Sequence, residues 1–155
     1  MVRRAGNGTD EATLNELSKR ILGAAFHVHT QLGPGLLESA YEACLDHELR
    51  RRGLAVERQK TLPVRYDDVL VDAGYRIDLV VEGAVVIEVK SVRQFAPIHE
   101  AQVLTYLKLS GLHLGLLLNF NVVRLKNGGI KRLVDNLPDR RRTPTAPRST
   151  TEIAS

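Results

Sequence analysis

Cysteine occurs once in this chain, at Cys44, and tryptophan not at all. A single thiol excludes an intrachain disulfide, so the fold must rest on its packed core, and the composition suits a reducing, cytoplasmic setting. Aromatic residues make up only 5%, which leaves no obvious platform for stacking successive bases. The longest apolar run late in the chain, LHLGLLLNF, falls far short of the roughly 20 residues that cross a bilayer as a helix. The N-terminal MVRRAGNGTDEAT lacks the apolar centre of a signal peptide. Also missing are a phosphate-binding glycine-rich loop, zinc-ligand spacing, a nucleophile elbow and any internal repeat. Disulfide scaffolds, membrane-spanning helices and several common enzyme chemistries are thereby set aside.

What is present suits one globular domain. The 155 residues are 43% apolar and 26% charged, enough for a sizeable core. Net charge is +4, a mild lean toward a polyanionic partner. Part of that surplus lies in Arg140, Arg141 and Arg142, within a stretch rich in Pro, Ser and Thr. Residues 1–11 are expected to be flexible, residues 12–134 to form the domain, and residues 135–155 to be a disordered tail.

Within the domain, Leu14, Leu17, Ile21, Ala24, Ala25, Val28 and Leu32 repeat at helical spacing. Gly33-Pro34-Gly35 stops that helix, and a second is expected from Leu36 to Arg52, closed by Gly53. Short strands are expected near 55–60, 62–66 and 69–72, with Asp67-Asp68 as a turn. A hairpin follows, about 74–81 and 84–91, with Glu82-Gly83 at its tip. Pro97 opens a third helix that runs to Leu109, Leu114–Phe120 reads as a buried strand, and Ile130–Val134 follows a glycine turn. Helices, a three-strand meander, a helix and a strand make an α/β sandwich.

The hairpin carries the chemistry. In YRIDLVVEGAVVIEVK, Asp78, Glu88 and Lys90 interrupt Ile, Leu and Val, and carboxylates among buried neighbours are costly unless something compensates them. Glu88 and Lys90 share a strand face. Asp78 joins them only if the hairpin connection has an odd number of residues, so a three-residue connection with a left-handed Gly83 is expected. Two hard carboxylates can hold Mg²⁺ or Mn²⁺, with Lys90 beside the nucleophile or the phosphate oxygens. The competing reading makes Glu88 and Lys90 a solvated pair on an exposed sheet face.

On the third helix Gln102 and Tyr106 are four apart, with His99 one turn earlier, so they share a face and can fix ligands or touch phosphate. Periodicity alone favours the plainer alternative, a packed Tyr106 and a solvated Gln102. Glu38, at the start of the second helix, gains from the helix dipole and can supply a third carboxylate, directly or through water. His27 and His29 point apart, His47 and His113 lack ligand partners, and Cys44 is expected on the buried helix face as a small hydrophobe.

Two segments together resemble a known family. GLLESAY, Gly35 to Tyr41, matches the GxxExxY signature of a group of small bacterial and archaeal proteins. GYRIDLVV, IEVK, PIHEAQVLTYLKLSG and LLLNFNV resemble the same group, over about residues 14–134. That group is similar to the PD-(D/E)xK nuclease superfamily. The resemblance implies a restriction-endonuclease-like core of helix, three-strand meander, helix and strand, with an extra N-terminal helix. It implies Asp78 as the first acid, Glu88-Val89-Lys90 as the (D/E)xK element, Gln102 and Tyr106 as a RecB-type QxxxY helix motif, and Glu38 as the acid of the first core helix. The catalytic set is then Asp78, Glu88, Lys90, Gln102, Tyr106 and Glu38, with Asp78, Glu88 and Glu38 on Mg²⁺ or Mn²⁺.

The expected function is a metal-dependent nuclease acting on DNA or RNA, with DNA the favoured partner and no membrane. The alternative is a catalytically silent nucleic-acid-binding or protein-interaction module on the same fold. A domain this small has little room for its own DNA-reading element, so a homodimer or a partner protein is expected.

Overall fold

The computed structural model describes residues 10–136, and what was expected of residues 1–9 and 137–155 lies outside them. Helix α1 spans Glu11–Leu32 and α2 spans Glu38–Arg51. Strands β1 (Val56–Tyr66), β2 (Val69–Val81) and β3 (Val85–Lys90) form the meander. Helix α3 (Pro97–Ser110) leads to β4 (Leu114–Asn119), and β5 (Ile130–Val134) ends the fold. The sheet order is β1-β2-β3-β4-β5, antiparallel except for the parallel β3–β4 pair on either side of α3. This is the expected α/β sandwich, a restriction-endonuclease-like core of α2, meander, α3 and β4 with α1 added in front.

The centre of the sheet is buried on both faces. Residues of α1 and α2 pack with Leu79, Val81, Val85, Ile87 and Val89, while Val103, Tyr106 and Leu107 of α3 pack with Ile77, Val80, Val86 and Leu117. That explains the unbroken apolar burial of β3 and β4, since strands covered on both sides cannot alternate with polar residues. Helix α1 begins three residues earlier than its apolar repeat, because the Asp10 carboxylate accepts a hydrogen bond from the Thr13 amide and caps the helix.

Three expectations need correction. The segments 55–60 and 62–66 are one strand, and 69–72 and 74–81 are another. The apparent breaks are irregularities inside long strands: the register shifts between Leu62 and Val64, across a proline, and Gly74 takes a positive φ. Helix α2 starts at Glu38 rather than Leu36. The delay has a cause in Tyr41, whose hydroxyl donates to the Gly33 carbonyl and accepts from the Leu36 amide, holding residues 33–36 as a turn. The Tyr41 ring also stacks on Phe120, centroids 4.7 Å apart, tying that turn to the end of β4. Cys44 is exposed, because α2 buries Tyr41, Glu42, Leu45, Glu48 and Leu49 and Cys44 lies on the flank of that stripe.

Candidate active site

The hairpin between β2 and β3 determines which side chains meet. Val81 pairs with Val85, so Glu82, Gly83 and Ala84 form the three-residue connection that the spacing requires. Gly83 has φ 61°, and Glu82 shares the left-handed conformation at φ 55°. A non-glycine residue there is strained, and Glu82 is held by its neighbours: its amide donates to the Ala55 carbonyl and its carboxylate accepts from the Ala55 amide. The ladder runs from Val81↔Val85 to Leu79↔Ile87. One step further along the same register Asp78 lies level with Glu88.

At that step side chains replace the ladder. Asp78 Oδ2 accepts from the Val89 amide at 2.8 Å. Glu88 is 5% exposed, which rules out a solvated surface pair. Its Oε2 lies 3.5 Å from Lys90 Nζ, and its Oε1 is buried without a hydrogen-bond partner. Lys90 Nζ donates to Gln102 Oε1 at 3.2 Å, and Gln102 Nε2 donates to Tyr106 Oη at 3.0 Å. Gln102 therefore faces the lysine rather than solvent. His99 serves elsewhere, its Nδ1 accepting from the Ala96 amide at the start of α3.

The fold also brings in residues with no place in the sequence pattern. Glu42, four residues after Glu38, is buried on the face of α2 that meets the meander. Its carboxylate accepts from Arg58 Nε at 2.8 Å and from Gln59 Nε2 at 2.9 and 3.0 Å. The same Gln59 amide reaches Asp78 Oδ1 at 3.4 Å. Gln59 sits between the pairs Arg58↔Leu79 and Lys60↔Ile77, with φ 55° in mid-strand. Backbone strain of this kind costs on the order of 1–3 kcal/mol, and here it turns the amide between two carboxylates. The spacing of Glu38 and Glu42 on one helix face was the available sign of the second acid.

Glu38 itself is exposed, and its Oε2 accepts from the Ser91 amide at 3.2 Å, one residue past Lys90. It fastens the end of β3. Among the described residues, no three His, Cys, Asp or Glu side chains are gathered as a metal-binding group.

Electrostatics set this pair apart from ordinary carboxylates. Burial pushes Glu88 up to about 8, and the Asp78 charge adds to the rise against the opposing pull of Lys90. Burial likewise raises Asp78 to about 6, opposed by the Val89 amide and reinforced by Glu42. Tyr106 is pushed up to about 12, by burial first and by the Glu88 charge second, so its hydroxyl stays protonated. Two raised acids and an orphaned carboxylate oxygen form a hard-oxygen donor set that a divalent cation would satisfy.

No helix among the described residues is long and apolar enough to cross a membrane. No curated protein and no solved structure matches the chain. The family model of the PD-(D/E)XK nuclease superfamily matches residues 15–133, which takes in α2, the meander, α3, β4 and nearly all of β5. The chain belongs to the PD-(D/E)XK nuclease superfamily.

Proposed function

We propose that this protein is a nuclease that hydrolyses phosphodiester bonds in DNA or RNA, with Asp78 and Glu88 holding Mg²⁺ or Mn²⁺. The observation that carries the reading is Glu88 Oε1, a buried acceptor without a donor next to a second raised carboxylate. Leaving such a group unsatisfied costs roughly 1–3 kcal/mol or more, and a cation would remove that cost. When bound, the cation would polarise the phosphate and lower the pKa of a coordinated water.

The chain's own groups have separable tasks. Lys90 brings a positive charge to the nucleophile or to the oxygens that gain charge in the transition state. Gln102 accepts from Lys90 and donates to Tyr106, which holds the ammonium back from collapsing onto Glu88. Glu38 fixes the Ser91 amide and acts on the metal at most through water. Gln59 and Glu42 hold Asp78 from the opposite side. We also infer membership of the GxxExxY group. In support, Tyr41 clasps the Gly33–Leu36 turn and Glu38 binds the backbone beside Lys90, so the signature residues act as one unit.

Cleavage of labelled single-stranded, duplex and flapped DNA and RNA, with Mn²⁺ or Mg²⁺ at low salt, tests the proposal. The wild type should give metal-dependent products, and Asp78→Ala and Lys90→Ala should abolish them. Cleavage that survives Asp78→Ala would refute the assignment. A wild type that neither cleaves nor binds metal by calorimetry would leave a silent module on this fold.

A further inference from the structure

We infer that the protein carries a second anion-binding feature: a groove at the C-terminal ends of β3 and β4 that takes the phosphate backbone of a nucleic acid. The inference rests on the nuclease reading for its geometry of use, but not for its observation.

The groove, about 650 Å³, is lined by Arg93, Asn121, Arg124 and Asn127 together with Pro34 and neighbouring valines. It contains two guanidinium groups, two carboxamides and no acidic side chain. Among the described residues, neither Arg93 nor Arg124 lies within 4.0 Å of a carboxylate, and both are exposed. By contrast, Arg50, Arg51, Arg52 and Arg58 are each committed to an acid. Uncommitted guanidiniums over an open groove suit a chain of phosphates better than a small enclosed ligand.

The groove is built rather than incidental. Asn119, fully buried at the end of β4, accepts from the Val92 and Asn121 amides and donates to the Val92 carbonyl. One side chain therefore locks the segment carrying Arg93 to the turn carrying Asn121. The loop beyond is closed by bonds from Asn127 to Arg124 and from Gly129 to Leu125, and His29 of α1 contacts the Val122 carbonyl at 2.8 Å. Arg124 thus projects from a pinned loop, which limits the entropy lost on binding.

Its place relative to Lys90 defines its use. Arg93 follows Lys90 by three residues, so their Cα atoms are at most about 11 Å apart. With the axial rise of a nucleic-acid strand about 3.4 Å per nucleotide and the reach of both side chains added, a phosphate on Arg93 would lie within a few nucleotides of one at Lys90. The groove would seat the strand next to the bond being cut, without reading bases.

Metal-free fluorescence anisotropy with labelled DNA and RNA, single-stranded and duplex, over a salt series tests this. Arg93→Ala/Arg124→Ala should weaken binding about tenfold or more at low salt and make the log–log salt slope on duplex DNA shallower by about 2. Lys19→Ala/Lys108→Ala, which removes equal charge elsewhere on the surface, should change neither. Equal losses in both double variants would show a diffuse charge effect and overturn the groove, as would wild-type affinity in the arginine variant. A wild type that binds through these arginines yet never cleaves would sink the nuclease reading and leave the groove standing.

Discussion

The Asp78 carboxylate stands in for a backbone carbonyl, accepting the Val89 amide at 2.8 Å just where the β2–β3 ladder has ended at Leu79↔Ile87. One side chain therefore closes the sheet and fixes the acid beside Glu88. Separating these two tasks is possible by substitution. Asp78→Asn keeps an acceptor for Val89 and should stay close to wild-type stability in metal-free buffer. Asp78→Ala orphans the amide of buried Val89 and should lose about 1–3 kcal/mol in urea unfolding. Both should abolish the rise in melting temperature that millimolar Mn²⁺ gives the wild type through linkage. A metal-dependent rise in either variant would mean that the cation binds elsewhere.

The raised acids make metal-free stability depend on pH in an unusual direction. Glu88 moves from 4.5 to about 8 and Asp78 from 3.8 to about 6 on folding, so the folded state binds protons that the unfolded chain has released. That contribution is complete below about pH 4 and is lost as pH rises to about 8. Calorimetry in EDTA should show the melting temperature falling between pH 5.5 and 8.5. Glu88→Gln, uncharged throughout, should flatten most of that fall and be more stable than the wild type at the alkaline end. A wild-type profile that rises over this interval would contradict the burial argument.

Glu42 offers a direct electrostatic test. It raises Asp78 through its charge and through their hydrogen-bonded link, so Glu42→Gln should lower the Asp78 pKa below about 6, read by carboxyl carbon NMR. Gln59→Ala removes the amide shared by the two carboxylates and should destabilise by about 1–3 kcal/mol. Gln59→Gly relieves the left-handed backbone as well and should lose less than Gln59→Ala. Equal losses would show that strain at φ 55° plays no part.

How far the sequence exposes these relations depends on the physics behind each. Helix spans follow from apolar spacing, and the meeting of Asp78 with Glu88 follows from counting residues around the hairpin, because strand faces alternate strictly. The match ends where polar side chains replace backbone pairing. Gln59 reads as an ordinary strand residue, since nothing local announces a positive φ in mid-strand, and Glu42 is marked only by standing four residues after Glu38. Glu38 stands in the more visible motif, yet it is Glu42 that bonds to Arg58 and to the Gln59 amide shared with Asp78. The strand breaks near Pro63 and Gly74 mislead for a related reason: a bulge interrupts pairing without ending a strand. His99, adjacent in helical spacing to Gln102, is diverted by the nearest unpaired amide, at Ala96.

The chain Lys90–Gln102–Tyr106 gives the sharpest expectation for turnover. Lys90 is only 14% exposed and touches Glu88 at 3.5 Å, so without Gln102 its ammonium is free to collapse onto that carboxylate. Gln102→Ala should therefore lower kcat about 10–100-fold, the range for residues that orient a metal site, with little change in KM. Tyr106→Phe keeps the ring packed against Tyr75 and removes only the hydroxyl that accepts from Gln102. It should lie between the wild type and Gln102→Ala in kcat, at unchanged stability. Gln102→Glu replaces the amide with an acid that can still accept from Lys90 but cannot donate to Tyr106 when ionised, and should fail to restore the wild-type rate. A dominant effect on KM in all three variants would show that Gln102 and Tyr106 bind substrate rather than orient the lysine.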